Sequence, residues 1–229
     1  MLLVWAAAVL VIVAAVISLR WASARYDTLG RRRPFPWVAV GTCVVAGIVA
    51  LVPWVMRIRL EHRLGSAASV IAGSEVSIHC QTFGEAFVDA GAESGYVAFG
   101  PTGVPERRAL IKRDQCNDLG DYIRSDKRAP TREHVVAVHV LTHEAIHMSG
   151  ETSEAITECL AMQKDAAMAR LLGADDASAR LLARSYFESI YPSMPEPYRS
   201  AECGPGLALD AGRPDAPWAT ATGAMPAVP

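Results

Sequence analysis

Two long apolar stretches dominate the first quarter of the chain, and a mixed polar and apolar pattern follows them. Residues 2–19 (LLVWAAAVLVIVAAVISL) and 37–56 (WVAVGTCVVAGIVALVPWVM) hold no charged side chain. Each stretch has about the ~20 residues that a helix needs to cross the hydrocarbon core of a bilayer. Trp37 and Trp54 lie near the two ends of the second stretch, where aromatic side chains favour the membrane interface. The pattern predicts two transmembrane helices.

Beyond the second stretch the pattern becomes that of a folded domain. Three short segments alternate apolar with other residues between Gly- and Pro-rich turns, which predicts a short antiparallel sheet: 76–80, 96–99 and 108–111. Helical spacing prevails from about residue 114, with four expected helices: 115–125, 131–148, 154–172 and 176–190. The predicted fold class is therefore α+β.

This pattern divides the chain into four parts. Residues 1–64 form a membrane anchor with a basic cytoplasmic loop between its two helices, and 65–74 form a linker of small residues. Residues 75–206 form an extracytoplasmic domain. The Pro- and Ala-rich end, 207–229, is predicted to be a disordered tail.

The distribution of basic residues predicts how the chain is oriented in the membrane. The loop between the two predicted spans carries five arginines and a single aspartate. Short Arg-rich loops stay in the cytoplasm, which places the domain after the second span outside. Arg57, Arg59 and Arg63 follow that span and argue for the opposite orientation. We expect a multi-pass cell-membrane protein with its C-terminal domain extracytoplasmic.

Cysteine usage agrees with that location. Cys43 lies in the second apolar stretch, and the other four cysteines follow the spans without forming a CxxC pair: Cys80, Cys116, Cys159 and Cys203. An even number of separated cysteines outside the membrane predicts two disulfides. Of the three possible pairings we favour Cys80–Cys116 and Cys159–Cys203, which tie the two halves of the domain respectively. Four reduced thiols in a cytoplasmic domain are the alternative.

The charge of the chain gives no sign of a nucleic-acid partner. It has 22 basic and 24 acidic residues, and the basic residues form no patch of the kind that phosphate binding needs.

The segment His143-Glu144-Ala145-Ile146-His147 carries the candidate chemistry. Two histidines four residues apart share one face of a helix, so both imidazoles can bind one zinc ion. The glutamate between them can act on a metal-bound water as a general base. An apolar run before His143 suits a buried metal site, because a low dielectric strengthens metal binding.

A catalytic zinc ion needs three protein ligands and an open position. Gly150 can reverse the chain after the motif helix, and Glu154 then opens the next helix within reach of the metal. Glu158 lies one turn further along the same face. It can accept a hydrogen bond from the second nitrogen of a ligand histidine and so orient the ring.

The motif and the two glutamates resemble the gluzincin metallopeptidases, whose thermolysin-type members have HExxH and then a helix with NExxSD. The resemblance implies a zincin-like fold, a zinc cofactor, Glu154 as third ligand and Glu158 as the orienting acid. Two features depart from that family: the interval between the motifs is much shorter, and Glu158 stands where those enzymes have Asp. The Gly-containing connector resembles the metzincin HExxHxxGxxH, but Ser153 occupies the position of the third ligand. The chain is also similar to uncharacterised membrane-anchored bacterial proteins with a HExxH and ExxxEC core.

The expected activity is zinc-dependent hydrolysis of a peptide bond in a peptide or protein substrate. Glu154 is favoured over Glu158 as third ligand, with Glu151 a third candidate. The oxyanion could be steadied by one of four residues, among which the sequence does not choose: Tyr191, Tyr198, His139 and Arg199. His139 is interpreted first as a hydrogen-bonded core histidine.

Two other functions stay open at this point. One is a non-catalytic zinc-binding domain that serves binding or cell-envelope organisation. The other is a zinc hydrolase that acts on a different amide or ester, such as a cell-wall peptide.

Overall fold

A computed structural model describes residues 2–26, 29–88, 91 and 94–219. The chain forms two compact units, residues 1–59 and 60–229. The first unit contains helix α1 (Leu2–Ser23) and the start of helix α2 (Trp37–Ala72). Both helices are long and apolar enough to cross a membrane.

Small side chains let the two helices of the first unit approach each other. A Cβ atom on Gly47 would lie 3.7 Å from the Ala7 carbonyl oxygen and 3.8 Å from the Leu10 Cβ. At the loop end, the Phe35 ring contacts both Trp21 and Trp37, with centroids 4.9 and 4.6 Å apart. Most of the large apolar side chains of this unit are exposed, as expected for helices that face lipid.

The predicted linker at 65–74 is wrong for most of its length, because helix α2 continues to Ala72. Four residues at helical spacing bury one face of this part of the helix: Leu64, Ala67, Ala68 and Ile71. A Cβ atom on Gly65 would lie within 3.7 Å of backbone atoms of residues 76–78, so the helix packs closely beside the first strand. The small residues are therefore packing positions, and the second unit begins near Leu60.

Three strands form a mixed sheet: β1 (Ser77–Cys80), β2 (Gly95–Phe99) and β3 (Pro105–Ile111). The order is β1–β3–β2, with β2 antiparallel and β1 parallel to β3. The prediction of a wholly antiparallel sheet is therefore wrong for β1. A hairpin joins β2 to β3, whereas the short helix α3 (Phe83–Val88) and β2 separate β1 from its partner. This crossover allows the parallel pairing.

Four helices complete the domain close to their predicted bounds: α4 (Arg113–Arg124), α5 (Arg132–Met148), α6 (Glu154–Leu171) and α7 (Asp176–Ser189). Thr131, Ser153 and Asp175 cap the last three, each accepting a hydrogen bond from a backbone N–H in the first turn. Two 3₁₀ turns follow at Tyr191–Ser193 and Glu196–Tyr198. The α+β prediction is confirmed.

Both predicted disulfides are present, with the pairing that the sequence favoured. Cys80–Cys116 joins β1 to α4, and Cys159–Cys203 joins α6 to the loop after the 3₁₀ turns. The free cysteine in the described part of the chain is Cys43, in α2.

The segment 207–219 is ordered against α6, which corrects the predicted disordered tail for these residues. The Gln163 side chain donates to the Leu209 carbonyl (2.9 Å) and accepts from the Ala211 N–H (2.8 Å). The Arg213 guanidinium donates to the Gln163 carbonyl at 3.0 Å. The buried Gln163 thus satisfies backbone groups of this Pro-rich segment and holds it against α6, although the segment has no apolar periodicity of its own. Residues 220–229 lie outside the described part of the chain.

Candidate metal centre

Helix α5 carries His143 and His147 on its buried face. Their exposed fractions are 8% and 4%, and most of the residues around them on the helix are buried and apolar. Since four residues span just over one helical turn, the two rings lie side by side, with centroids 4.7 Å apart. His143 and His147 thus lie on one face of α5, as their spacing in the sequence predicts.

A sharp reversal then brings the next helix back to these histidines. Gly150 has a φ of 116°, a conformation that favours glycine, and it follows directly on the last turn of α5. Ser153 caps α6, so Glu154 is the first residue of that helix. The Glu154 Oε2 atom lies 3.1 Å from the His143 Nε2 atom and 3.4 Å from the His147 Nε2 atom.

These three atoms form what we call the acceptor triangle: His143 Nε2, His147 Nε2 and Glu154 Oε2. The two nitrogens are 3.0 Å apart, and all three atoms lie close enough to share one metal ion. Ligand atoms around a tetrahedral zinc ion, each ~2.0–2.1 Å from the metal, lie about 3.3 Å from one another. The edges of the triangle, 3.0–3.4 Å, are close to this value.

The other ring nitrogens determine which atoms of the triangle carry hydrogen. The His147 Nδ1 atom lies 2.8 Å from the Glu151 carbonyl, and the His143 Nδ1 atom lies 3.0 Å from the Glu158 Oε2 atom. Both partners are acceptors, so both Nδ1 atoms are assigned as donors. In neutral rings both Nε2 atoms then present lone pairs to a carboxylate oxygen, an arrangement that a bound cation stabilises.

Glu144 lies beside the triangle in an apolar setting. It is 5% exposed, and its Oε2 atom has no hydrogen-bond partner in the described structure. Burial raises the pKa of Glu144 to about 7, against a smaller opposing influence of the neighbouring His143. A carboxyl group with this pKa can both accept and return a proton near neutral pH.

Gly95 in the edge strand β2 leaves room for that carboxylate. A Cβ atom at this position would lie 3.0 Å from the Glu144 Oε1 atom and 3.1 Å from the Ile111 Cδ1 atom. Such contacts are tight enough to displace the side chain. Gly95 therefore sets the position of Glu144.

Behind the triangle lies what we call the buried network: Glu158, His139, Asp165 and Tyr186. Glu158 Oε2 accepts from both the His143 Nδ1–H and the His139 Nε2–H, each at 3.0 Å. Its Oε1 atom accepts from the Tyr186 hydroxyl at 2.7 Å. Burial raises the pKa of Glu158. The charge of His139 and the hydrogen bonds from His139, His143 and Tyr186 lower it by more, so the net shift of this pKa is downward.

His139 links Glu158 to a second carboxylate. Its Nδ1 atom lies 2.8 Å from the Asp165 Oδ2 atom, and its ring stacks on Tyr186 with centroids 3.6 Å apart. Burial lowers the pKa of His139, and the two carboxylates more than offset this, so that its pKa rises to about 10. His139 is thus a charged, hydrogen-bonded histidine of the interior.

A second group of potential ligands lies within the buried network: His139, His143 and Glu158. Here, however, N–H and O–H donors occupy the space between the acceptor atoms. The acceptor triangle contains no such donors, and Glu144 lies beside it. The triangle is therefore the better candidate for a metal.

A cleft of ≈ 430 Å³ opens onto the triangle. Strand β2, helix α5, the end of α7 and the following loop line it, and its apolar side chains include Val97, Phe99, Val140, Ile190 and Met194. Tyr198 lines the same cleft, with its ring centroid 6.0 Å from that of His143.

The structure separates the remaining candidates of the sequence analysis. The Glu151 carboxylate accepts from the N–H groups of Thr152 and Ser153 and so turns into its own loop. Tyr191 and Arg199 line a different cavity. Of the four oxyanion candidates, Tyr198 lines the cleft, whereas His139 is held by two carboxylates.

Sequence reasoning missed three residues of the site. Asp165 lies seven positions after Glu158, two turns along α6, and this spacing could have revealed it. Tyr186 and Gly95 come from α7 and β2, and no local pattern connects either of them to the motif.

Comparisons with family models, curated proteins and solved structures find no match to this chain, so the assignment of this centre depends on its geometry.

Proposed function

We propose that this protein is a membrane-anchored, zinc-dependent metallopeptidase. The observation that carries the proposal is the acceptor triangle, three acceptor atoms 3.0–3.4 Å apart, beside the buried carboxylate of Glu144. Two imidazole nitrogens and one carboxylate oxygen are a ligand set of catalytic zinc sites.

The charges around the triangle support a divalent cation. Three carboxylates lie in the triangle and in the buried network behind it, those of Glu154, Glu158 and Asp165, and the imidazolium of His139 compensates one of them. Glu144 adds little charge below pH 7, because burial raises its pKa. A charge of +2 in the triangle would neutralise the remaining two, which a buried site strongly favours.

Zinc, when bound, acts as a Lewis acid that lowers the pKa of a water molecule and polarises a carbonyl group. His143, His147 and Glu154 would hold the ion. Glu144 takes the proton of the attacking water on its unpartnered Oε2 atom and returns it to the leaving amine. The Tyr198 ring, on the open side of His143, is placed to contact the substrate.

The cleft fits a peptide in extended conformation. Strand β2 is an edge strand, since within the described residues it pairs with β3 alone, and residues 94–97 line the cleft. A free strand edge offers backbone hydrogen bonds to a peptide, and the apolar wall accepts its side chains.

Two features support the proposed location. Two apolar helices suit a bilayer, and two disulfides suit an oxidising compartment. Together with the basic loop they favour an extracytoplasmic catalytic domain.

The test uses the full chain in detergent, with zinc content measured by mass spectrometry and hydrolysis measured on a peptide library. We expect one zinc ion per chain and loss of about 10²–10⁴-fold in kcat/KM for Glu144→Gln, with the zinc retained. Glu133→Gln, in the exposed first turn of the same helix, is the matched control and should leave both unchanged.

Two results would contradict the proposal. A protein that holds no zinc at stoichiometric level has no such centre. If zinc is bound but Glu144→Gln hydrolyses every peptide as fast as the parent, the site is not catalytic.

A further inference from the structure

The buried network contains a charged group that hydrolysis itself does not require. His139 is 2% exposed, yet both of its ring nitrogens lie within 3.0 Å of carboxylate oxygens. A neutral imidazole has one N–H and can donate to one of these oxygens only. The geometry therefore assigns His139 as an imidazolium between Glu158 and Asp165.

All the groups that face His139 belong to the helices packed around it. Helix α6 contributes both carboxylates, α7 contributes Tyr186, whose ring stacks on the imidazole, and α5 itself contributes His143 one turn away. The four side chains of the buried network are each at most 2% exposed. Their hydrogen bonds to one another and to His143 orient them.

Stability alone does not account for such a network. Burying two carboxylates and an imidazolium costs several kcal/mol per ion in desolvation, and apolar residues of the same volume stabilise a core as well or better. Buried ionic groups are most useful where they fix one arrangement among several. Here the ionic groups fix the position of the Glu158 carboxylate.

The Glu158 carboxylate has two oxygens with different tasks. Its Oε1 atom accepts from Tyr186, whereas its Oε2 atom is shared by His139 and His143. While Oε2 stays in place, the hydrogen of the neutral His143 ring stays on Nδ1, and Nε2 keeps its lone pair. If the hydrogen moved to Nε2, that atom could no longer bind a metal.

We propose that His139, oriented by Asp165, is a positioning residue that holds Glu158 Oε2 against His143 and thereby keeps the His143 Nε2 lone pair in the acceptor triangle. This inference rests on the proposed metal site but not on peptide hydrolysis. It makes metal affinity depend on a side chain that does not touch the metal.

The first measurement is the affinity for Co²⁺, followed by its visible absorption bands, with the full chain in detergent. We expect His139→Gln and Asp165→Asn each to weaken binding by about 10–100-fold, as changes to the partners of metal-ligating histidines do. Tyr186→Phe removes the donor to the other oxygen of Glu158, and we expect it to weaken binding less than about 3-fold.

A double-mutant cycle separates positioning from general destabilisation. If His139 acts through Glu158, the variant carrying both His139→Gln and Glu158→Gln binds Co²⁺ about as tightly as Glu158→Gln alone. If the two substitutions weaken Co²⁺ binding independently, so that their fold-changes multiply in the double variant, the proposal is overturned. An affinity of His139→Gln within 2-fold of the parent would overturn it too.

The second measurement is the tautomer of His143, read from ¹⁵N and ¹H chemical shifts of the metal-free protein with labelled histidine. We expect the Nδ1–H form in the parent and a growing share of the Nε2–H form in His139→Gln. Should His139→Gln fail to fold, Asp165→Asn gives the same readout. An unchanged tautomer in the folded variant contradicts the proposal.

The outcomes also distinguish this inference from the proposed function. A parent protein that binds neither Co²⁺ nor zinc ends the metallopeptidase proposal, while the tautomer of the metal-free protein still decides the role of His139. If His139→Gln abolishes Co²⁺ binding and Glu154→Gln does not, His139 is itself a ligand and the positioning role is wrong.

Discussion

The two sides of the His143 ring differ in their hydrogen bonding. On the Nδ1 side, the buried network supplies a donor for every contact of Glu158, which is 1% exposed. On the Nε2 side, the acceptor triangle brings together atoms without a hydrogen between them, and the Glu154 side chain is 42% exposed. The protein itself supplies the donors on one side, and the other side could hold a cation.

This difference assigns different tasks to two similar glutamates. Glu154 and Glu158 lie one turn apart on α6, and both contact His143. The pKa of each is lowered, that of Glu154 first by its contact with His143 and that of Glu158 by His139 in spite of burial. The open, solvent-facing carboxylate suits a ligand, and the enclosed one suits a support for the ring.

The largest expected effect separates these tasks directly. We expect Glu154→Gln to weaken zinc binding more than 100-fold, because a ligand is lost, and Glu158→Gln to weaken it by about 10–100-fold. Competition with a chromophoric chelator measures both affinities. Glu151→Gln, whose carboxylate binds its own loop, is the control and should stay within about 3-fold. The reverse order of the first two variants would exchange the roles of the two glutamates.

A second prediction uses the opposite pKa directions of Glu144 and Glu158 in the metal-free protein. Burial raises the pKa of Glu144 from 4.5 to about 7, so the folded state binds its proton more tightly than the unfolded chain does. Stability therefore falls as the pH rises from about 4.5 to about 7, by about 3 kcal/mol in all. Glu144→Gln lacks this penalty and should be more stable than the parent at pH 8 by up to that amount, and equally stable near pH 4.

Glu158→Gln should show the opposite sign. The lowered pKa of Glu158 contributes stability above about pH 4.5 that is lost as the pH falls, so this variant should be less stable than the parent at neutral pH. Denaturant unfolding of both variants in detergent, in the presence of a chelator and at several pH values, gives the comparison. Equal pH dependence of the two variants would contradict it.

The smallest expected effect concerns the position of Glu144, the proposed general base. Gly95→Ala places a Cβ atom 3.0 Å from the Glu144 Oε1 atom, so the carboxylate must move by a few tenths of an ångström. We expect kcat/KM to fall by about 10-fold, because small displacements of reacting groups are costly, while zinc content stays unchanged. Gly84→Ala is the control, since no atom lies within 4 Å of its added Cβ. A loss of zinc in Gly95→Ala would mean that β2 supports the metal ligands and not the base.

Much of the fold could be predicted because it depends on short-range patterns. Helices α5 to α7 begin at capping residues that the sequence displays, and the apolar stretches specify the first two helices. Errors arose where small or polar residues take their conformation from distant partners. The segment 65–72 is helical because Leu64 and Ile71 have a core to pack against, and 207–219 is ordered because Gln163 binds its backbone.

The sequence by itself determined that His143 and His147 share a face and that Glu154 and Glu158 come next. Helical periodicity and chain direction suffice for these conclusions. It favoured the pairing of four cysteines outside the apolar stretches, which the structure confirms. Only the tertiary structure decided which glutamate faces which nitrogen of His143, because both glutamates lie on the same face of α6 and the crossing of α5 and α6 sets their distances. It also brought Tyr186 from α7 and Gly95 from β2 to the site, since contacts between elements distant in sequence depend on packing rather than on local pattern.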